Sequence, residues 1–204
     1  MIVTQIAELT KTRSKVFLDG EFAFVLYKGE LRLFQITLGE ELKQEYYEEI
    51  MHNVLPKRAK LRSMNLLKSR DYTEAQLIRK LKEGGYPKEV IAMAVAYVKD
   101  FHYIDDRRYA IQYISYHSQD KSRKRIMLDL QNKGIAQEIA EFAYEEVLES
   151  GDLMPQEELI MKFLQKKHYD PQTADYSDKQ KIYRYLLGKG FTMEQIRHAI
   201  GELS

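Results

Sequence analysis

The chain has 204 residues, of which 44% are hydrophobic and 31% charged, with 32 Lys and Arg against 31 Asp and Glu and no cysteine. This is enough apolar material for a folded core, and the missing thiols exclude a disulfide framework, a thiolate metal site and a cysteine nucleophile. No run nears the roughly 18 apolar residues of a membrane span and no secretory leader is visible at the start, so a soluble cytoplasmic protein is expected.

The first forty residues are rich in β-branched and aromatic residues. Ile2 to Leu9, Val16 to Asp19 and Phe22 to Tyr27 read as strands, and Asp19-Gly20 is a two-residue hairpin signal because such a turn needs positive φ. Leu31 to Ile36 is a candidate for a further strand. Leu38-Gly39-Glu40 then opens a helix expected to run to about Asn53 and to stop near Pro56.

From Lys57 the apolar period becomes helical. Leu61, Met64 and Leu67 line one face of a first helix. Thr73 with Gln76 forms a capping box for a second, which carries Leu77 and Leu81 and ends at Gly84-Gly85. Pro87 suits the first turn of a third, through Ile91, Val95 and Val98. The pattern then recurs. Asp105 caps a helix lined by Tyr109, Tyr113 and Tyr116; Ser122 precedes one with Ile126 and Leu130; Gly134 ends it; Ile139, Phe142, Ala143 and Val147 face inward from the next. A third round brings Leu159, Ile160, Phe163 and Leu164. A polar loop over 168–178 follows, then a helix capped through Ser177 and Gln180 with Ile182 and Leu186, and one capped through Thr192 and Gln195 with Ile196 and Ile200.

Three segments share one register: LKEGGYPKEVI from Leu81, LQNKGIAQEIA from Leu130 and LLGKGFTMEQI from Leu186. Their glycines, Gly85, Gly134 and Gly190, stand 49 and 56 residues apart. A recurring supersecondary unit is the mark of a repeat protein, and repeats present extended binding surfaces more often than catalytic pockets. The expected fold is mainly α: tandem three-helix repeats in an elongated curved array, with a small β-rich N-terminal region. The boundaries are 1–56 for the β-rich extension and its helix, then repeats at 57–104, 105–150 and 151–204.

No catalytic, metal or cofactor site is legible. The five histidines are scattered, no phosphate-loop or dinucleotide fingerprint occurs, and Asp105-Asp106 is explained by helix capping. Charge is more informative. Residues 1–56 hold 6 Lys/Arg against 9 Asp/Glu, 57–134 hold 18 against 9, and 135–204 hold 8 against 13. The basic middle suits an acidic polymer or an acidic protein surface. Its densest cluster, Lys121-Ser122-Arg123-Lys124-Arg125, starts a helix, where the dipole also favours anions. Arg79-Lys80 occupies the related place in the first unit, further along its second helix, and Arg107-Arg108 starts the second unit. Charge alone does not separate DNA from an acidic protein, and a direct nucleic-acid-binding repeat module is the alternative reading.

Three motifs carry a resemblance. SRDYTEAQLIRKLKEGGY (69–86), YIDDRRYA (103–110) and SRKRIMLDLQNKGI (122–135) are similar, in that order, to those of the RecX family of regulatory proteins, with LLGKGF a looser third-repeat match. The β-rich start resembles the extension of longer members. The resemblance implies tandem three-helix repeats, no enzymatic activity, no cofactor, and binding to the RecA recombinase filament on single-stranded DNA. There RecX proteins usually restrain ATP hydrolysis, strand exchange and coprotease activity. It carries Arg70, Arg79, Lys80, Arg107, Arg108, Arg123 and Arg125 over as filament or DNA contacts; Lys124 joins them from the basic cluster. A monomer is expected.

Overall fold

Residues 1–201 are described by a computed structural model, in which the β-rich start becomes strands β1 (Val3–Thr10), β2 (Arg13–Leu18) and β3 (Glu21–Tyr27). They form an antiparallel sheet in the order β1-β2-β3. Asp19 and Gly20 join β2 to β3 with φ of 49° and 91°, the double left-handed geometry of the tightest hairpin turn. Phe24, Val25 and Leu26 of β3 are all buried. Successive side chains alternate across a strand, so both faces of β3 are covered. Phe24 and Leu26 enter the main core, while Val25 meets Gly85 from the other side.

The candidate strand at Leu31–Ile36 is instead helix α1 (Lys28–Leu33) and its exit turn. Glu30 decides this: its carboxylate accepts from the Tyr27 backbone N–H at 2.8 Å, closing a helical first turn. The next helix also begins later than expected. The backbone around Glu40 and Glu41 pairs with Ile2 and Val3, and α2 spans Gln44–Glu49. Pro56 does not stop it. A π-helical turn over Ile50–Val54 leads directly into α3 (Leu55–Leu67), where Pro56 sits in the first turn. Proline lacks a donor and crowds the carbonyl four residues back, and a widened turn just upstream absorbs both defects.

The first repeat comprises α3, α4 (Glu74–Glu83) and α5 (Lys88–Asp100). The second comprises α6 (Asp106–His117), α7 (Arg123–Asn132) and α8 (Gln137–Glu149). The third comprises α9 (Gln156–Lys166), α10 (Tyr176–Gly188) and α11 (Met193–Ala199). The molecule is therefore mainly α, built of tandem three-helix domains with a small N-terminal sheet.

The middle helix of each triplet ends identically. The amides of Tyr86, Ile135 and Phe191 bond to the carbonyls of Leu81, Leu130 and Leu186 at 3.3, 3.1 and 3.2 Å, and the three glycine amides bond three residues back at 2.9 Å. Gly85, Gly134 and Gly190 have φ of 78°, 84° and 93°. This is the Schellman ending, in which a left-handed residue lets orphan carbonyls find donors and an apolar contact seals the turn. The sequence register of leucine, glycine and apolar residue thus encodes one backbone device three times.

Several apolar faces differ from those the spacing suggested. On α3 the buried positions are Leu55, Pro56, Ala59, Ser63 and Leu66, while Leu61 is 63% exposed. Ser63 is apolar in effect, since its hydroxyl donates to the Ala59 carbonyl at 2.8 Å. On α6, Ala110 and Ile114 form the core side and Tyr116 is 79% exposed. On α8 Tyr144 is buried in place of Phe142, which is 72% exposed. Helix α10 starts at Tyr176 under an Asp175 cap, whose carboxylate accepts from the Asp178 amide at 2.8 Å, so Ser177 is not its cap.

The described chain divides into two units, residues 1–105 and residues 106 onward. In the first, one core runs from Val16 and Phe24 of the sheet through Leu55 to Leu77, Leu81 and Val95 of the first repeat. In the second, each repeat has its own core, around Ile114, Ile126 and Leu130 and around Ile160, Leu186 and Ile196. These two repeats meet through polar contacts. Ser122 Oγ donates to the Lys189 carbonyl at 2.8 Å, the Arg123 amide to Gln156 Oε1 at 3.0 Å, and Lys162 Nζ to the Gln119 carbonyl at 3.1 Å.

Candidate functional site

The eight cations singled out from sequence fall in both units, and their surroundings differ. Arg70, just beyond α3, lies 4.4 Å over the Tyr72 ring. Arg79 is an exposed side of α4 with no ion pair among the described residues. Lys80, one residue on, pairs with Glu83 at 2.7 Å. That hydrogen bond, ahead of the Coulomb attraction of Lys80 and Arg79, holds the Glu83 carboxyl below its ordinary value.

In the second unit, Arg107 on α6 donates from Nε and Nη2 to a single Glu146 oxygen at 3.1 and 2.7 Å. Arg108 follows it on the same exposed first turn. Arg123 stacks 4.6 Å over the Tyr144 ring and has Glu145 at 3.9 Å. Burial pushes the Tyr144 phenol up from its ordinary value, while Arg123 pulls it the other way. Arg125 pairs with Asp129 one turn along at 3.3 Å. Lys124, between them, has no carboxylate within ion-pair range among the described residues and lines a shallow cleft with Met127 and Gln195. Exposed pairs of this kind contribute little and open easily when an anion competes.

The start of α7 is less available to an anion than its sequence suggests. The Arg123 amide is bound by Gln156 and the Arg125 amide by the capping Ser122 hydroxyl at 3.3 Å. Lys121 is part of the structure: it bonds Tyr113 Oη at 2.8 Å and Asp129 at 3.0 Å. Desolvation opposes its charge, but the Tyr113 and Asp129 contacts win and raise its pKa. The presented cations of this cluster are therefore Arg123, Lys124 and Arg125.

A second basic region was not singled out from sequence. Arg13, Arg58 and Arg62 join Lys80 around a cleft of about 560 Å³ walled by β2, β3, α3 and the Gly84-Gly85 turn. Arg58 and Arg62 are one helical turn apart in the run KRAKLR (57–62), a signal that was legible. Arg13 comes from a separate strand, and only folding brings it to them. Among the described residues no group of three or more His, Cys, Asp or Glu side chains is gathered to hold a metal. No helix among them is long and apolar enough to cross a membrane.

Comparison with known proteins fits this geometry. Models of the first, second and third RecX three-helix domains match residues 59–97, 105–143 and 156–200. A protein of Caldanaerobacter subterraneus subsp. tengcongensis called Regulatory protein RecX is 33% identical over 98% of both chains. This chain belongs to the RecX family. The Regulatory protein RecX of Clostridium botulinum (strain Eklund 17B / Type B) is 26% identical, over 97% of this chain and 93% of its own. A crystal structure of regulatory protein RecX shares the fold, with a TM-score of 0.61 and 23% identity over 98% of both chains. The match across the whole length takes in the sheet as well as the repeats.

Proposed function

We propose that this RecX-family chain binds the RecA–DNA filament and restrains the recombinase's ATP hydrolysis, strand exchange and coprotease activity. The observation that carries the reading is the ordered match of all three triplets to the three RecX three-helix domains, in relatives named as regulatory proteins. The exposed cations support it. Arg79 in the first unit and Arg123, Lys124 and Arg125 in the second offer guanidinium forks and an ammonium to phosphates or acidic protein surfaces. Weak contacts on linked units reinforce one another through effective concentration, and a chain held at several points resists the subunit movement that nucleotide turnover needs. No residue is assigned a catalytic role, and the protein acts as a cytoplasmic monomer.

The test is RecA ATPase on single-stranded DNA, titrated with this protein. Turnover falls with rising concentration, and R123E/K124E/R125E drops about tenfold or more in potency, as expected when several charge-assisted hydrogen bonds are removed together. No inhibition and no change in filament disassembly overturns the reading; unchanged potency of the triple variant removes α7 from the contact surface. The rival reading, direct binding to nucleic acid without recombinase, is favoured by the same exposed cations. It requires tight binding to bare DNA with a steep salt dependence, whereas the regulator binds the filament strongly and bare DNA weakly.

A further inference from the structure

The cleft in the first unit carries an inference independent of the filament reading. Its four cations have unequal duties. The fork of Arg58 is engaged inside the protein: Nη1 donates to the Val25 carbonyl at 3.3 Å and Nη2 to Glu30, while the guanidinium plane lies 4.7 Å over Tyr27. Arg58 thereby fixes β3, α1 and α3 to one another and forms the floor. Lys80 is half-engaged by its surface pair with Glu83.

Arg13 and Arg62 have no carboxylate within ion-pair range and no side-chain hydrogen bond among the described residues. Yet they converge. Arg58, Arg62 and Arg13 all act electrostatically on the half-buried Tyr86 phenol, which burial raises and they lower. Glu30 balances Arg58 and Glu83 balances Lys80, which leaves the charges of Arg13 and Arg62 without a paired carboxylate among the described residues and open to an anion in the cleft.

The walls narrow the kind of anion. Tyr27, Tyr86 and the outward Leu61 line the cleft beside the two arginines. The glycine pair Gly84-Gly85 keeps side chains off one wall. The volume of about 560 Å³ lies within the roughly 300–1,000 Å³ of small-molecule sites and exceeds what inorganic phosphate fills. Guanidinium forks match phosphate oxygens in pairs, and aromatic rings suit an attached base. A purely acidic peptide such as polyglutamate would use the cations but has no ring to set beside the tyrosines.

We propose that this cleft binds a nucleotide, with Arg13 and Arg62 on its phosphate and the Tyr27 and Tyr86 rings beside its sugar and base. The nucleotide is either free or one unit of a DNA strand, since the phosphate chemistry is shared.

The experiment follows the anisotropy of the fluorescent nucleotide mant-ADP with the full chain at low salt. Wild type binds. R13Q/R62Q weakens binding about tenfold or more, the scale of removing two charge-assisted hydrogen bonds, while K43Q, elsewhere in the unit, changes it by less than about twofold. Thermal melting checks that the pair variant folds; if it does not, R62E alone, on the exposed side of α3, takes its place. Displacement of mant-ADP by a short oligothymidylate assigns the site to a DNA strand, and its failure assigns it to free nucleotide; either supports the phosphate class. The proposal is overturned if wild type does not bind mant-ADP, or if R13Q/R62Q and R62E bind like wild type. It is also overturned if a polyglutamate peptide displaces the probe as well as pyrophosphate does, which makes the cleft a seat for an acidic polypeptide.

Discussion

The two units solve one packing problem in opposite ways. A three-helix triplet has little interior of its own. The first repeat enlarges it by merging with the sheet into one apolar core. The second and third repeats keep separate cores and join through hydroxyl, amide and ammonium contacts. The same turn is used at both junctions. Gly85 packs on Val25 of the sheet, and Gly190 packs on Ser122 at the start of α7. An apolar joint makes the sheet and the first repeat one cooperative body, whereas a polar joint lets two repeats keep individual stabilities.

The sharpest way to break this comparison is to empty equivalent core positions. Leu81 and Leu186 are both fully buried, and truncation to alanine costs about 2–5 kcal/mol. In Leu81→Ala, amide exchange should accelerate across the sheet as well as the first repeat. In Leu186→Ala, the amides of Ile126 and Leu130 should keep their protection while the third repeat loses its own. Loss of both together would make the second unit one cooperative body.

The glycines come next. A Cβ at Gly85 would overlap Val25 Cγ2, whereas one at Gly190 would lie 2.6 Å from Ser122 Oγ, which can turn aside only by giving up its bonds to the Lys189 carbonyl and the Arg125 amide. Both also carry the left-handed penalty, about 1–2 kcal/mol. With overpacking added, Gly85→Ala should cost about 2–4 kcal/mol by denaturant melting and Gly190→Ala less. A reversed order would mean that the apolar joint yields more readily than the polar one.

A smaller contrast lies in the caps. Thr73 caps α4, accepting from the Gln76 amide at 3.2 Å. Ser122 caps α7 and also donates to the Lys189 carbonyl of the next repeat. Thr73→Ala should cost about 1 kcal/mol. Ser122→Ala should lose the cap, about 1 kcal/mol, and about 1 kcal/mol in excess of it for the bond between repeats. The excess should disappear when Gly190→Ala has already disturbed the partner turn.

The smallest effect depends on pH. Desolvation raises the Asp129 pKa, but hydrogen bonds from Lys121 and Tyr113 outweigh it and leave it below its ordinary 3.8. A depressed carboxylate stabilises the fold above its unfolded pKa and loses that contribution as pH falls through the folded one. Asp129→Asn should therefore lower the melting temperature at neutral pH, with the gap to wild type closing below about pH 4. In the shared register the first repeat carries Lys80 where the second has Asp129, so it cannot reproduce this contact or its acid limb.

The parts that were legible in sequence are those written in local backbone chemistry. The three Schellman endings, the hairpin at Asp19-Gly20 and the capping boxes at Thr73 and Thr192 each need a particular residue at one position. The misread parts were decided by interactions that spacing does not show. Leu31–Ile36 has strand composition, but the Glu30 carboxylate starts a helix. Pro56 reads as a stop, but a π-helical turn accommodates it. Ser63 reads as polar, but it satisfies itself on Ala59 and packs as a small residue. Tyr109 and Tyr113 of α6 do pack against the core, but Tyr116 of the same helix and Phe142 of α8 look like core by spacing and are exposed, while Ile114 and Tyr144 take the interior. The basic cluster on α7 was visible as a run of letters. Sequence could not show that Gln156 and Ser122 occupy two of its amides, or that Arg13 crosses from a strand to meet Arg62.

The unbroken helical path from Gln44 to Leu67 has a mechanical consequence. A loop there would have acted as a swivel between the sheet and the first triplet. A rod cannot. A load placed on α2 is passed along that rod to α3, whose Arg58 and Arg62 meet Arg13 of the sheet at the cleft.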